Sequence, residues 1–178
     1  NKERRIQGRD DLSNLSEEGH EQARRLGASL KDVNFDAVYS SRLQRAASTT
    51  KTLLEARDGT APEPVFDDGL LEVDLEPWTG HSIDELTESQ PEAYAIWKQR
   101  PLELELQRRD GTRYRPLPEL MAQARRFVDD LLKRHPVDGN ETVLVVAHNA
   151  ILRCLMLVLI GEPESGFRRL RIDNTALS

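Results

Sequence analysis

Apolar positions along the chain fall into blocks with two periods. Behind Leu15-Ser16-Glu17-Glu18, residues Ala23, Leu26, Gly27 and Leu30 recur at helical spacing. Ser16 reads as the N-cap there, and the two acids sit where the positive helix end favours them. Asp36-Ala37-Val38-Tyr39-Ser40 has a short buried-strand pattern, and Arg42–Leu54 returns to helical spacing. After a loop from Gly59 to Pro64, Val65–Val73 is extended in character. Leu102, Leu104 and Leu106 alternate with polar residues ahead of Asp110-Gly111 and Thr112–Arg115, a hairpin signal. Leu120, Ala124, Phe127, Val128 and Leu131 predict a helix over Glu119–His135, stopped by Pro136. Thr142–Ala147 is the clearest buried strand, Ala150–Ile160 the helix after it, and Arg169–Ile172 reads as a last strand. Strands alternating with helices predict an α/β fold, a three-layer α/β/α sandwich with a mostly parallel central sheet. Residues 77–118, with short helical pieces at Ile83–Leu86 and Ala93–Lys98, are the least regular and are expected to be an inserted lid or substrate segment.

Composition narrows the function classes. The 178 residues suit a single domain spanning 1–178. With 25 Lys+Arg against 31 Asp+Glu the net charge is −6, which points to no nucleic acid and no anionic membrane as partner. The most apolar stretch, Thr142–Ile160, is broken by His148, Asn149 and Arg153, so it is a poor membrane span. The single cysteine, Cys154, excludes an internal disulfide framework and suits a reducing, cytoplasmic compartment. His20, His81, His135 and His148 lack ligand-like spacing, so no metal and no cofactor is expected. No signal-peptide pattern opens the chain, which begins at Asn1 without methionine and stops after Leu177-Ser178; a fragment is expected.

Ligands of open α/β sheets bind beyond the carboxyl ends of strands. That filter selects Ser40, Ser41, Arg42 and Arg45 after one strand, Glu72 after Leu70-Leu71, and His148 and Asn149 after Val143–Ala147. With the basic, glycine-containing start Asn1–Arg9 they make a natural anion site, helped by the helix start after His148. Taken singly, each has a plainer reading: a hydrogen-bonded structural histidine, a solvated helix arginine, a glutamate capping a helix. Trp78 reads as core, and Cys154 as a buried helix residue.

Taken together, these segments resemble the histidine phosphatase (phosphoglycerate mutase-like) superfamily along essentially the whole chain. Asn1-Lys2-Glu3-Arg4-Arg5-Ile6-Gln7-Gly8-Arg9 looks like the stretch that follows the family's Arg-His-Gly signature, and Leu15-Ser16-Glu17-Glu18-Gly19 like its L-T-x-x-G helix start. Ser40-Ser41-Arg42-Leu43-Gln44-Arg45-Ala46 matches S-S-x-L-x-R-A, Leu71-Glu72-Val73-Asp74 the acid-bearing segment, Val146-Ala147-His148 the second-histidine segment, and Asp173-Asn174-Thr175-Ala176 a late turn. The run Val146-Ala147-His148-Asn149-Ala150 is similar to the phosphatase branch that includes sugar-phosphate phosphatases such as 2-carboxyarabinitol-1-phosphate phosphatase.

The resemblance implies a metal-independent phosphomonoesterase acting on a small phosphorylated substrate. Its nucleophilic histidine forms a phosphohistidine and would lie just upstream of Asn1, at the end of a first strand absent from this chain. Arg45 would clamp the phosphoryl oxygens, His148 would stabilise developing charge, and Glu72 would protonate the leaving oxygen and then activate water. Asn1 would touch the phosphate, and Arg5, Gln7 and Gly8 would line the substrate side. Two departures stand out: Glu76-Pro77-Trp78-Thr79-Gly80 lacks a usual glycine at Glu76, and Asn149 replaces the glycine common after the second histidine, which puts a side chain beside the phosphate. The alternatives are a cofactor-dependent phosphoglycerate mutase, disfavoured because Val73–Gly80 contains no arginine, and a non-catalytic phosphate-binding domain. The basic run Arg108–Arg115 is open to two readings, a lid for acidic substrates or a solvated hairpin tip. A homodimer is left open.

Overall fold

The computed structural model describes residues 5–11, 13–57 and 60–177. Helix α1 (Glu17–Ser29) starts where the sequence places it, with Ser16 Oγ accepting from Gly19 N at 3.1 Å. Strand β1 (Ala37–Ser40) leads into α2 (Gln44–Glu55), and β2 is the dipeptide Val65–Phe66. Helices α3 (Ile83–Ser89) and α4 (Pro91–Gln99) follow, the first held by a reciprocal Ser82/Glu85 capping box and the second opened by Pro91. The hairpin β3 (Leu106–Gln107) and β4 (Arg113–Tyr114) turns at Asp110-Gly111, where Gly111 has a φ of +89°. The 19-residue α5 (Pro116–Arg134), β5 (Val143–Val146) and α6 (Asn149–Leu159) complete the order.

The sheet is parallel throughout, in the order β2-β1-β5, with Ser40 opposite both Phe66 and Val146. Successive side chains of a strand point to opposite faces. Tyr39 accordingly joins the main core, edge-on to Phe127 of α5 at 6.0 Å, whereas Val38, equally buried, lies outside that cluster. The main core runs through α5, α6, Trp78 and Phe167; α1 and α2 pack on each other through Ala23, Gly27 and Leu53. This is the expected α/β architecture of helices with a parallel sheet.

Two sequence expectations fail for identifiable reasons. Val65–Val73 is a strand only at its first two residues, because Asp67 Oδ1 accepts from Gly69 N at 2.7 Å and turns the chain into a 3₁₀ turn, Asp68–Leu70. Arg169–Ile172 is not a strand: a 3₁₀ turn over Glu164–Arg168 precedes it, and no neighbouring strand pairs with it among the described residues. Its apolar pattern comes from packing, as Leu170 rests against the core. Residues 77–118 run from the end of a 3₁₀ turn, Glu76–Trp78, through the pair α3–α4 and the hairpin into the start of α5. Trp78 and Cys154 are fully buried, Trp78 donating from Nε1 to Gln90 Oε1.

The contact between α1 and α2 is backbone-close. A Cβ on Gly27 would stand 2.2 Å from the carbonyl oxygen of Leu53, an atom that cannot swing away. Gly27→Ala is therefore expected to cost about 1–3 kcal/mol of stability, read as a lowered urea midpoint with the slope unchanged.

Candidate active site

The parallel ladder continues one residue beyond β1, Ser41 N donating to Val146 O at 2.9 Å. Both chains thus leave the sheet side by side, and His148 meets Ser41. His148 caps α6, is 8% exposed, and its Nε2 lies 2.8 Å from Ser41 Oγ. Among the described residues Nδ1 has no partner. Burial, and then the positive charge of Arg45, push the His148 pKa down to about 3, so the ring is neutral at physiological pH.

Arg45 lies in the first turn of α2. Its Nη1 donates to Asp10 O at 2.8 Å and its Nη2 to Gly8 O at 2.7 Å, which fixes the guanidinium against the 8–11 loop. Burial lowers its pKa, opposed by Glu72, Asp11 and Asp10; a guanidinium starting so high keeps its charge. Gly8 holds the left-handed conformation, φ +50°, and a Cβ there would meet Thr79 Oγ1 at 3.3 Å and Val73 O at 3.5 Å. The loop is thereby pressed onto the acid-bearing segment. Asp11 Oδ1 accepts from Gln44 N at 2.5 Å, placing a carboxylate at the start of α2.

Glu72 reaches the start of α6. Its Oε2 accepts from Ala150 N at 3.2 Å, and its Oε1 from Ile151 N at 3.2 Å and from Val73 N at 2.9 Å. The helix amides that the sequence suggested for an external anion are occupied by this carboxylate. The residue is half-buried overall, yet its carboxyl group is enclosed by protein. Burial raises its pKa, against the three amides and Arg45, which lower it. A carboxyl held protonated to higher pH than usual, beside a fixed guanidinium and a neutral imidazole, can give up a proton where negative charge is leaving.

The remaining candidates are arranged less directly. Gln7 Nε2 donates to Ser13 Oγ at 2.9 Å, bracing the same loop. Arg5 faces the 80–85 turn, donating to Gly80 O at 2.8 Å and lying 3.7 Å from Glu85. Asn149 opens α6, and its Nδ2 donates to Ile172 O at 2.7 Å. Asn1 lies outside the described residues. His81 is exposed, His20 bonds Thr52 Oγ1, and His135 joins Tyr39 Oη at 3.0 Å to Glu141 Oε2 at 2.8 Å. Sequence reasoning did not give Ser41 its role beside His148; its position directly after the strand was the available signal.

The hairpin arginines are mostly engaged. Arg108 stacks on Tyr114 at 3.8 Å and bonds Asp74 Oδ2 at 3.2 Å and Glu119 Oε2 at 2.7 Å. Arg109 N donates to Glu76 Oε2 at 3.0 Å, and Arg113 pairs with Glu105 at 3.0 Å. Tyr114 Oη donates to Asp74 O at 3.1 Å, so the hairpin grips the chain just past Glu72. A cavity of about 510 Å³ beside residues 67–71 is lined by Arg9, Asp68, Gln123 and Arg134 among others, and none of Arg45, Glu72 and His148 lines it.

The chain matches the histidine phosphatase superfamily (branch 1) over residues 1–178. It is 31% identical over 164 residues to phosphoserine phosphatase 1 of Hydrogenobacter thermophilus, covering 92% of this chain and 72% of that protein. It is 33% identical over 178 residues to a probable 2-carboxy-D-arabinitol-1-phosphatase of Arabidopsis thaliana, covering 100% of this chain but only 34% of that protein. Among solved structures, YhfR of Bacillus stearothermophilus superposes with a TM-score of 0.84 at 31% identity, over 97% of this chain and 80% of that one.

The neutral His148 has a consequence for stability. In the unfolded chain the imidazole takes a proton below its usual value of 6.5, whereas in the folded chain it resists until about pH 3. Between those values the unfolded state binds more protons, so stability falls as pH falls, by up to about 1.4 kcal/mol per pH unit from this group. His148→Gln is expected to flatten the decline between pH 6.5 and pH 4, measured by urea unfolding across that range.

Proposed function

The chain belongs to the histidine phosphatase superfamily, and we propose that it is a phosphomonoesterase that hydrolyses a small phosphorylated metabolite without a metal. The observation that carries the reading is the meeting, at one sheet edge, of a main-chain-anchored guanidinium, a carboxyl with a raised pKa and a neutral buried imidazole. The phosphatase names of the relatives support the same class. In the proposed reaction a histidine upstream of Asn1 attacks phosphorus, and the phosphorus–oxygen ester bond breaks. Glu72 gives its proton to the departing oxygen. The Glu72 carboxylate then takes a proton from water as that water attacks the phosphohistidine, releasing inorganic phosphate and restoring the acid. Arg45 holds two phosphoryl oxygens in its fork, and the Nδ1 side of His148 faces the transferring group. Asn1, Arg5, Gln7, Gly8 and Asn149 complete the substrate side. The outer edge of β5 is unpaired among the described residues and would accept the strand that brings the nucleophile.

The intact protein is expected to hydrolyse p-nitrophenyl phosphate in EDTA, and Arg45→Ala to lose roughly 100- to 1,000-fold of kcat/KM. Acid quenching after brief exposure to labelled substrate should trap phosphate on histidine. For alkyl phosphates, whose leaving oxygen needs a proton, activity should fall as pH rises through the raised pKa of Glu72, and Glu72→Gln should abolish that limb. A strict metal requirement contradicts the mechanism; conversion of 3-phosphoglycerate without release of phosphate favours a mutase; binding without turnover favours a regulatory domain.

A further inference from the structure

The acid-bearing segment poses a positioning problem. Residues 71–72 follow the 3₁₀ turn Asp68–Leu70 and belong to no strand, so no ladder fixes the main chain that carries Glu72. The carbonyl groups of Gly69 and Leu71 meet α5, where one side chain takes up both. Gln123 Nε2 donates to Gly69 O at 3.1 Å and to Leu71 O at 2.9 Å, using both amide hydrogens. Gln123 Oε1 accepts from Arg9 Nη2 at 2.8 Å, and Arg9 Nε donates to Glu72 O at 2.9 Å. Two carbonyls on one side and a guanidinium on the other permit only one orientation of the carboxamide.

Backbone packing makes this bracket possible. A Cβ on Gly69 would stand 3.0 Å from Phe127 Cβ and Cδ2, so the segment lies against α5 one turn beyond Gln123. Glu72 is thus held at both ends, its main chain by α5 through Gln123 and Arg9 and its carboxyl by the first amides of α6. The two helices pack against each other.

We propose that Gln123, braced by Arg9, is the positioning residue for the general acid: it fixes the main chain at Glu72 so that the carboxyl reaches both the α6 amides and the leaving oxygen. The proposal rests on the reading of Glu72 as the acid. A shift of about 1 Å at a reacting group costs on the order of 100-fold in rate, and in the step that expels the leaving group it does so only where the departing oxygen needs a proton. p-Nitrophenolate leaves without a proton, whereas an alkoxide does not.

The test compares p-nitrophenyl phosphate with glycerol 2-phosphate in the full-length protein. Gln123→Leu keeps the volume and removes three hydrogen bonds; Gln123→Glu sets oxygen against two carbonyls. Both are expected to lower kcat/KM, which runs only through departure of the leaving group and not through hydrolysis of the shared phosphohistidine, about 10- to 100-fold on glycerol 2-phosphate, with far less change in kcat/KM on p-nitrophenyl phosphate and a displaced alkaline limb of the alkyl-phosphate profile. Equal losses on the two substrates, or no loss, overturn the proposal. Glu72→Gln is assayed beside them. If it does not discriminate between the leaving groups, the assignment of the acid fails; if it does and the Gln123 variants do not, only the role of Gln123 fails. Should the Gln123 variants not fold, Arg9→Gln removes the exposed member of the bracket without touching α5, and it must show the same leaving-group dependence or the proposal falls.

Discussion

The parallel pairing of β1 with β5 is the constraint on which the site depends. Four residue pairs, ending at Ser40 with Val146, set the two strand ends level, and the bond from Ser41 N to Val146 O carries that register into the loops. His148 can then rest against Ser41 although 107 positions separate them in sequence. A slip of one residue would turn every strand side chain to the opposite face. Tyr39 would leave the α5–α6 core, and His148 would lose its buried partner. The packing of Val38 and Tyr39 on opposite faces therefore protects the geometry of the candidate site as much as stability.

Charge at the site is arranged by main-chain groups more than by ion pairs. Carbonyls hold Arg45, helix amides hold Glu72, and Gln44 N holds Asp11. Each of these side chains spends hydrogen bonds on main-chain groups, which leaves it fewer ways to move. His148 differs, because burial keeps it neutral, a dipole beside the Arg45 charge.

The α/β architecture was legible because its signals are local. Ser16 caps α1, Asp110-Gly111 turns the hairpin, and the spacing from Leu120 to Leu131 marks α5. Arg45, Glu72 and His148 were legible because each follows a strand or strand-like run, where open sheets expose their ends. Other features depend on partners distant in sequence. Gln123 looks like an ordinary half-buried helix residue until Gly69 and Leu71 are beside it. Arg108 looks like hairpin charge until Asp74 and Glu119 converge on it. Arg169–Ile172 carries a strand's alternation without a strand to pair with, since local pattern cannot report whether a neighbour exists.

The bonds from Glu72 to Ala150 and Ile151 tie the proton inventory of the site to the mechanics of a helix. As a carboxylate, Glu72 satisfies two amides that would otherwise end α6 in open donors. As a neutral acid it is a poorer acceptor, and the first turn of α6, beginning at the residue next to His148, is held less firmly. The charge on one glutamate thus sets how firmly the turn beside His148 is held.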